Sequence, residues 1–176
     1  MQEENCKIAE CLPNYVLIDA ALWENDINVA KRHNPNFRSL FRGKIGEELS
    51  SVAPFLFEIT NDMVRSDFGH WIAVKINREP ILRRVLWIQS NATIDILRQH
   101  LKRFLRVKIS SGKYLYLRIY DPYVINCVLP ILNKEQLSEL FSKIESIVSE
   151  DIRINERRTF ALSSSGELLI TYSKLN

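Results

Sequence analysis

The sequence predicts an α+β (mixed α/β) fold: a single domain in which a mixed sheet with at least one hairpin carries amphipathic helices. Two observations predict it. Short apolar runs rich in strand formers, such as Tyr15–Ala21 and Phe55–Ile59, alternate with longer stretches whose apolar residues recur at helical spacing. Near Leu105 the hydrophobic period switches from about 3.6 residues to about 2, the mark of a helix handing over to a strand. A chain of 176 residues, 46% hydrophobic, is long enough for one sizeable core, and no Gly/Ser-rich stretch divides it.

In chain order, the strand Tyr15–Ala21 leads to a helix over Trp23–His33, which Asn34 and Pro35 end because the residue before proline leaves the helical region. Phe37–Phe41 reads as a second strand and Ile45–Ala53 as a short helix stopped by Pro54. The strand Phe55–Ile59 follows. Thr60, Asn61 and Asp62 can cap a helix whose inward face holds Val64, Phe68, Trp71 and Ile72.

Arg83–Gln89 alternates as a strand, and Thr93 opens a helix with the stripe Ile94, Leu97, Leu101 and Phe104. Arg98, Gln99, Lys102, Arg103 and Arg106 are expected to face away from it. Leu105–Ile109 and Tyr114–Tyr120 flank Ser110, Ser111 and Gly112 as a hairpin, with Tyr114, Tyr116, Arg118 and Tyr120 on one face. Asp121 and Pro122 read as the cap and first residue of a helix buried through Val124, Ile125, Val128, Leu129 and Leu132. Asn133 with Gln136 reads as a capping box for a last helix, with Leu137, Leu140, Phe141, Ile144 and Val148 inward. Strands around Phe160–Leu162 and Leu168–Tyr172, turning at Ser165 and Gly166, complete the chain.

Charge and motif usage narrow the function. The net charge is only +3, yet residues 96–120 hold seven Lys or Arg and no acid. Such a field steers an acidic partner. Its Arg98–Lys108 surface with Tyr114, Tyr116 and Tyr120 also suggests a small nucleic-acid-binding module, as the alternative reading. His33, His70 and His100 lie on separate elements without ligand spacing, and Cys6, Cys11 and Cys127 form an odd set without a CxxC, so neither a metal nor a disulfide framework is expected. RGKIGEEL at 42–49 lacks the spacing of a phosphate loop, and no nucleophile elbow or HExxH occurs, so the chain is expected to be no enzyme and to need no cofactor. The Met1–Pro13 segment lacks the order of a secretory signal and no apolar run is long enough to cross a bilayer, which predicts a cytoplasmic protein with no membrane partner. Arg118 between Tyr116 and Tyr120 stands out as a partner anchor, because Arg and Tyr concentrate at interface hot spots; a half-buried strut bonded to Asp121 or to carbonyls at the helix start is the other reading.

Four phrases taken together resemble the type VI secretion adaptor-chaperones of the Tap/TEC/VasW kind: YVLIDAA at 15–21, LFRGKIGEELSSVAPFLFEI at 40–59, HLKRFLRVKISSGKYLYLRIYDP at 100–122 and LPILNKEQLSELF at 129–141. The resemblance implies a non-enzymatic domain that binds a cognate secreted effector in the cytoplasm and delivers it to the VgrG spike protein, with no nucleic-acid partner. It places the adaptor domain over residues 1–149 and a strand pair packed on the same domain over 150–176, a shorter tail than the C-terminal lobe of many relatives. Carried onto this chain, the motif residues are Arg118, Tyr120, Asp121 and Pro122, with His100, Arg103 and Phe104 on the basic helix. Tyr116 beside Arg118 completes the expected partner-binding set.

Overall fold

The computed structural model describes residues 13–24, 26–41, 48–49, 51–59, 67–79, 82, 84–109, 111–151 and 153–175. Along the chain run β1 (Tyr15–Asp19), α1 (Ala20–Trp23), α2 (Asp26–His33), β2 (Phe37–Ser39), β3 (Pro54–Glu58), α3 (Asp67–Arg78), β4 (Val85–Gln89) and α4 (Ile94–Arg103). They are followed by β5 (Arg106–Lys108), β6 (Tyr114–Tyr116), α5 (Pro122–Val128) with a short 3-10 turn at Leu129–Ile131, α6 (Lys134–Phe141), β7 (Ser146–Asp151), β8 (Glu156–Leu162) and β9 (Leu168–Lys174).

The α+β class holds. Seven strands form one sheet in the order β2-β3-β1-β4-β7-β8-β9, with every pairing antiparallel, and β5 with β6 forms a separate two-stranded sheet. Every residue of β1 is buried. Because successive side chains of a strand point to opposite faces, Tyr15 and Leu17 join one core with Leu86, Ile88, Leu97, Leu101, Ile125 and Leu140, whereas Val16 and Ile18 join another with Trp23, Ile27, Phe55, Phe57 and Phe68. Helices α4, α5 and α6 thus cover one face of the central strands, and α1, α2 and α3 the other. Each fully buried Leu or Phe in these layers contributes roughly 1.5–3 kcal/mol by leaving water. On β7, β8 and β9 the first core continues through Ile147, Phe160 and Ile170, so the terminal hairpin extends the same sheet.

Several local expectations hold. Asn133 and Gln136 exchange side-chain-to-backbone hydrogen bonds as a full capping box, and Gly166 takes the left-handed conformation (φ 79°) at the β8–β9 turn. Others are corrected. The helix expected over Trp23–His33 is two, split at Glu24, whose φ of 37° no helix tolerates. Val148 lies on a strand rather than on the last helix, because Ile147 and its neighbours alternate between sheet faces and pair with β4. Arg98 is buried rather than outward, its Nε donating to the Ser39 carbonyl at 2.6 Å and so tying α4 to β2. The return strand stops at Tyr116, short of Tyr120. The caps expected at 60–62, Val64, Arg83, Ser110, Cys6, Cys11 and residues 45–47 and 50 of the helix expected at 45–53 lie outside the described residues.

Candidate functional site

The segment from Leu105 to Asp121 makes a hairpin and then a corner. The Leu117 N–H donates to the Leu105 carbonyl at 2.8 Å at the hairpin base, and the Ile109 N–H donates to the Lys113 carbonyl at 2.9 Å near its tip. Gly112 sits at φ 81°, a conformation that strains any side-chain-bearing residue, which explains the glycine there. Beyond Tyr116, bonds from the Ile119 N–H to the Leu117 carbonyl and from the Asp121 N–H to the Arg118 carbonyl curl the chain into α5.

That corner carries a charge network at the end of the main sheet. Asp19, the last residue of β1, accepts from the Ala21 N–H with one carboxylate oxygen and from Arg118 Nη2 at 2.7 Å with the other. Asp121 repeats the arrangement: one oxygen accepts from the Tyr123 N–H as the α5 cap, the other from Arg84 Nη2 at 2.5 Å, with Arg118 at 3.9 Å. Each carboxylate therefore fixes a helix start and holds an arginine. Tyr123 extends the series, its ring centroid 4.6 Å from the Arg84 guanidinium and 3.9 Å from that of Arg153, which bonds Asp151 at 2.8 Å. Hydrogen bonding to Arg153 holds the Asp151 carboxyl below the usual carboxylate value.

The six residues expected to form a binding site fall into different environments. Arg118 is 45% exposed along its side chain, with the Tyr120 ring 5.4 Å from its guanidinium. Tyr120 and Asp121 are buried. Tyr116 is exposed over about half its surface, 49%, with its ring against Phe41 and Tyr120; burial of its hydroxyl end and hydrogen bonding to Tyr120 push the phenol up. Arg103 is exposed on α4 and pairs with Glu139 of α6. His100 is buried between the same two helices, its Nε2–H donating to the Leu140 carbonyl at 2.7 Å and its ring edge-to-face with Phe104. Burial, the largest effect, holds its imidazole below the usual value. Arg118, Tyr116 and Arg103 thus lie exposed, while Tyr120, Asp121 and His100 are buried.

Arg118 does act as a strut, but chiefly toward Asp19, 99 positions away, instead of Asp121. Asp19, Arg84, Tyr123 and Arg153 were not singled out for this network. The available signal was an aspartate closing an otherwise apolar strand.

The hairpin is the contrasting surface. Tyr114 (60%), Leu115 (51%) and Tyr116 stand exposed together, Ile109 joins them, and Arg106, Lys108 and Lys113 lie exposed around them. Among the described residues none of these three cations forms an ion pair; Arg106 lies over the Tyr114 ring at 5.2 Å. Among the described residues no three His, Cys, Asp or Glu gather as a metal-holding group, and no helix is long and apolar enough to cross a membrane.

A family model described as a domain of unknown function, DUF4123, matches residues 14–139. The match runs from the residue before β1 into α6 and takes in the hairpin and the Arg118 corner. No curated protein and no solved structure matches the chain.

Proposed function

We propose, since this chain belongs to the DUF4123 family, that it is a cytoplasmic adaptor-chaperone of type VI secretion, binding one cognate effector and helping to load it onto the VgrG spike. The family match over residues 14–139 carries the reading, because it spans three of the four phrases that resemble those adaptors and most of the fourth. The site supports it physically: an exposed group of tyrosines and aliphatic residues ringed by cations is suited to surface complementarity with a protein. No bond-making is asked of it.

The nucleic-acid alternative draws on the seven cations of residues 96–120. In the fold Arg98 turns inward to Ser39, Arg103 pairs with Glu139 and Arg118 with Asp19, which reduces the cations left for phosphates. Co-expression with a candidate effector and a VgrG tests the adaptor reading. Co-elution of the three on size exclusion is expected; an effector equally soluble and equally spike-bound without this chain refutes it. Affinity for an oligonucleotide falling steeply with salt would favour the alternative.

A further inference from the structure

We propose that the β5–β6 hairpin takes up an acidic, extended segment of a protein partner as a third strand along its β6 edge. This deepens the adaptor reading and rests on it for the partner's identity.

The main chain sets the geometry. In an antiparallel pair, residues whose N–H and C=O face the partner alternate with residues whose groups face away. The bonds at Leu105–Leu117 and Ile109–Lys113 fix the phase, so Val107 and Leu115 face each other as well. The N–H and C=O groups of Tyr114 and Tyr116 consequently point away from β5. Among the described residues β6 has no other strand beside it. All three β6 residues are exposed, whereas Val107 of β5 is half-buried, which makes β6 the more open edge. A two-stranded ribbon outside the main sheet gains from a third strand, since two strands alone are marginal in water.

The side chains select the occupant. Arg106 and Lys108 stand opposite Tyr116 and Tyr114 on one face of the ribbon, and Lys113 precedes Tyr114 at the tip. An incoming strand with carboxylates on that face meets cations that form no ion pair among the described residues, and its alternate apolar side chains meet Val107, Leu115 and Ile109 on the other face. A second copy of this hairpin would set Lys and Arg against Lys and Arg, which like-charge repulsion opposes. The complementarity therefore favours an acidic foreign segment over self-pairing.

The probe is a fluorescent, end-blocked octapeptide alternating Glu and Val, compared by anisotropy with a Lys/Val peptide and an oligothymidine. The Glu/Val peptide is expected to bind the full chain, and Lys108→Glu with Lys113→Glu is expected to weaken it about tenfold or more. Tyr114→Pro removes a main-chain donor that β5 does not use, so it should weaken binding further than Tyr114→Ala, by about fivefold. Circular dichroism verifies that each variant is folded; if the proline disrupts the hairpin, the charge reversal decides alone. Equal binding of the Glu/Val and Lys/Val peptides overturns the proposal, as does equal loss in the two Tyr114 variants when both are folded. Oligothymidine binding without peptide binding overturns it too. Peptide binding without capture of the co-expressed effector would leave the hairpin surface standing and remove the adaptor reading. Effector capture that survives the charge reversal, with no peptide bound, would do the opposite.

Discussion

Arg118 and Lys113 lie a few residues apart in one basic, tyrosine-rich segment, yet the fold gives them opposite situations. At the corner, Arg118 and Arg84 meet the buried carboxylates of Asp19 and Asp121, and each carboxylate also caps a helix. On the hairpin, Arg106, Lys108 and Lys113 stand in solvent beside exposed Tyr114 and Leu115. Local composition does not tell a structural cation from an available one. Pairing with Asp19 of β1, far away in sequence, does.

The sharpest break of this comparison is Asp121→Ala. It removes the α5 cap and leaves Arg84, largely buried, without its carboxylate, so we expect a loss of about 3 kcal/mol in urea unfolding, well above a lost cap alone. A loss under about 1 kcal/mol would mean that water replaces the carboxylate readily.

Arg118→Ala is expected to cost less, about 1–2 kcal/mol, because the guanidinium is half-exposed while Asp19 is left buried with a single backbone donor. Combined with Asp19→Asn, the losses should fall short of additive, since both act on one contact. Additive losses in a double-mutant cycle would show that the 2.7 Å bond contributes nothing to stability.

What the sequence disclosed follows the range of each interaction. Caps and turns are local, so Asp121 with Pro122, the Asn133–Gln136 box and the Gly166 turn could be read from neighbouring residues. The strand order could not, because β1 sits between β3 and β4 and β7 between β4 and β8 through distant pairings. Val148 was misplaced because Leu140, Phe141, Ile144 and Val148 also satisfy a helical spacing, and only pairing with β4 selects the strand. The hairpin was legible from its alternation and its glycine turn, though its return strand ends at Tyr116. Asp19 as the partner of Arg118 was not, since nothing near residue 118 points to residue 19.

His100 gives a smaller, pH-dependent effect on the interior side of the comparison. Its imidazole is held neutral by burial and donates to Leu140, so its folded pKa lies below its unfolded value, while the unfolded chain takes up the proton near about 6.5. The unfolded state then binds more protons in this window, and the stability contributed is present above about 6.5 and lost as pH falls through the folded value. His100→Gln, which keeps a donor, should flatten the fall in urea midpoint between pH 7.5 and pH 5.5. An unchanged slope would assign that fall to other groups.

The smallest effects belong to the hairpin, and their smallness is informative. Leu115→Ala is expected to change stability by less than about 0.5 kcal/mol, because its exposed side chain is not part of either core. Lys113→Glu should change stability by no more than a few tenths of a kcal/mol, since Lys113 is exposed and forms no ion pair among the described residues. The corresponding reversal at the corner, Arg118→Glu, sets a carboxylate against Asp19 and Asp121 and must be clearly destabilising. Thermal melts of the two reversals therefore measure which cations the fold requires. If Lys113→Glu proved as damaging as Arg118→Glu, the hairpin would be part of the structural network, and its exposed cations could no longer be assigned to a partner.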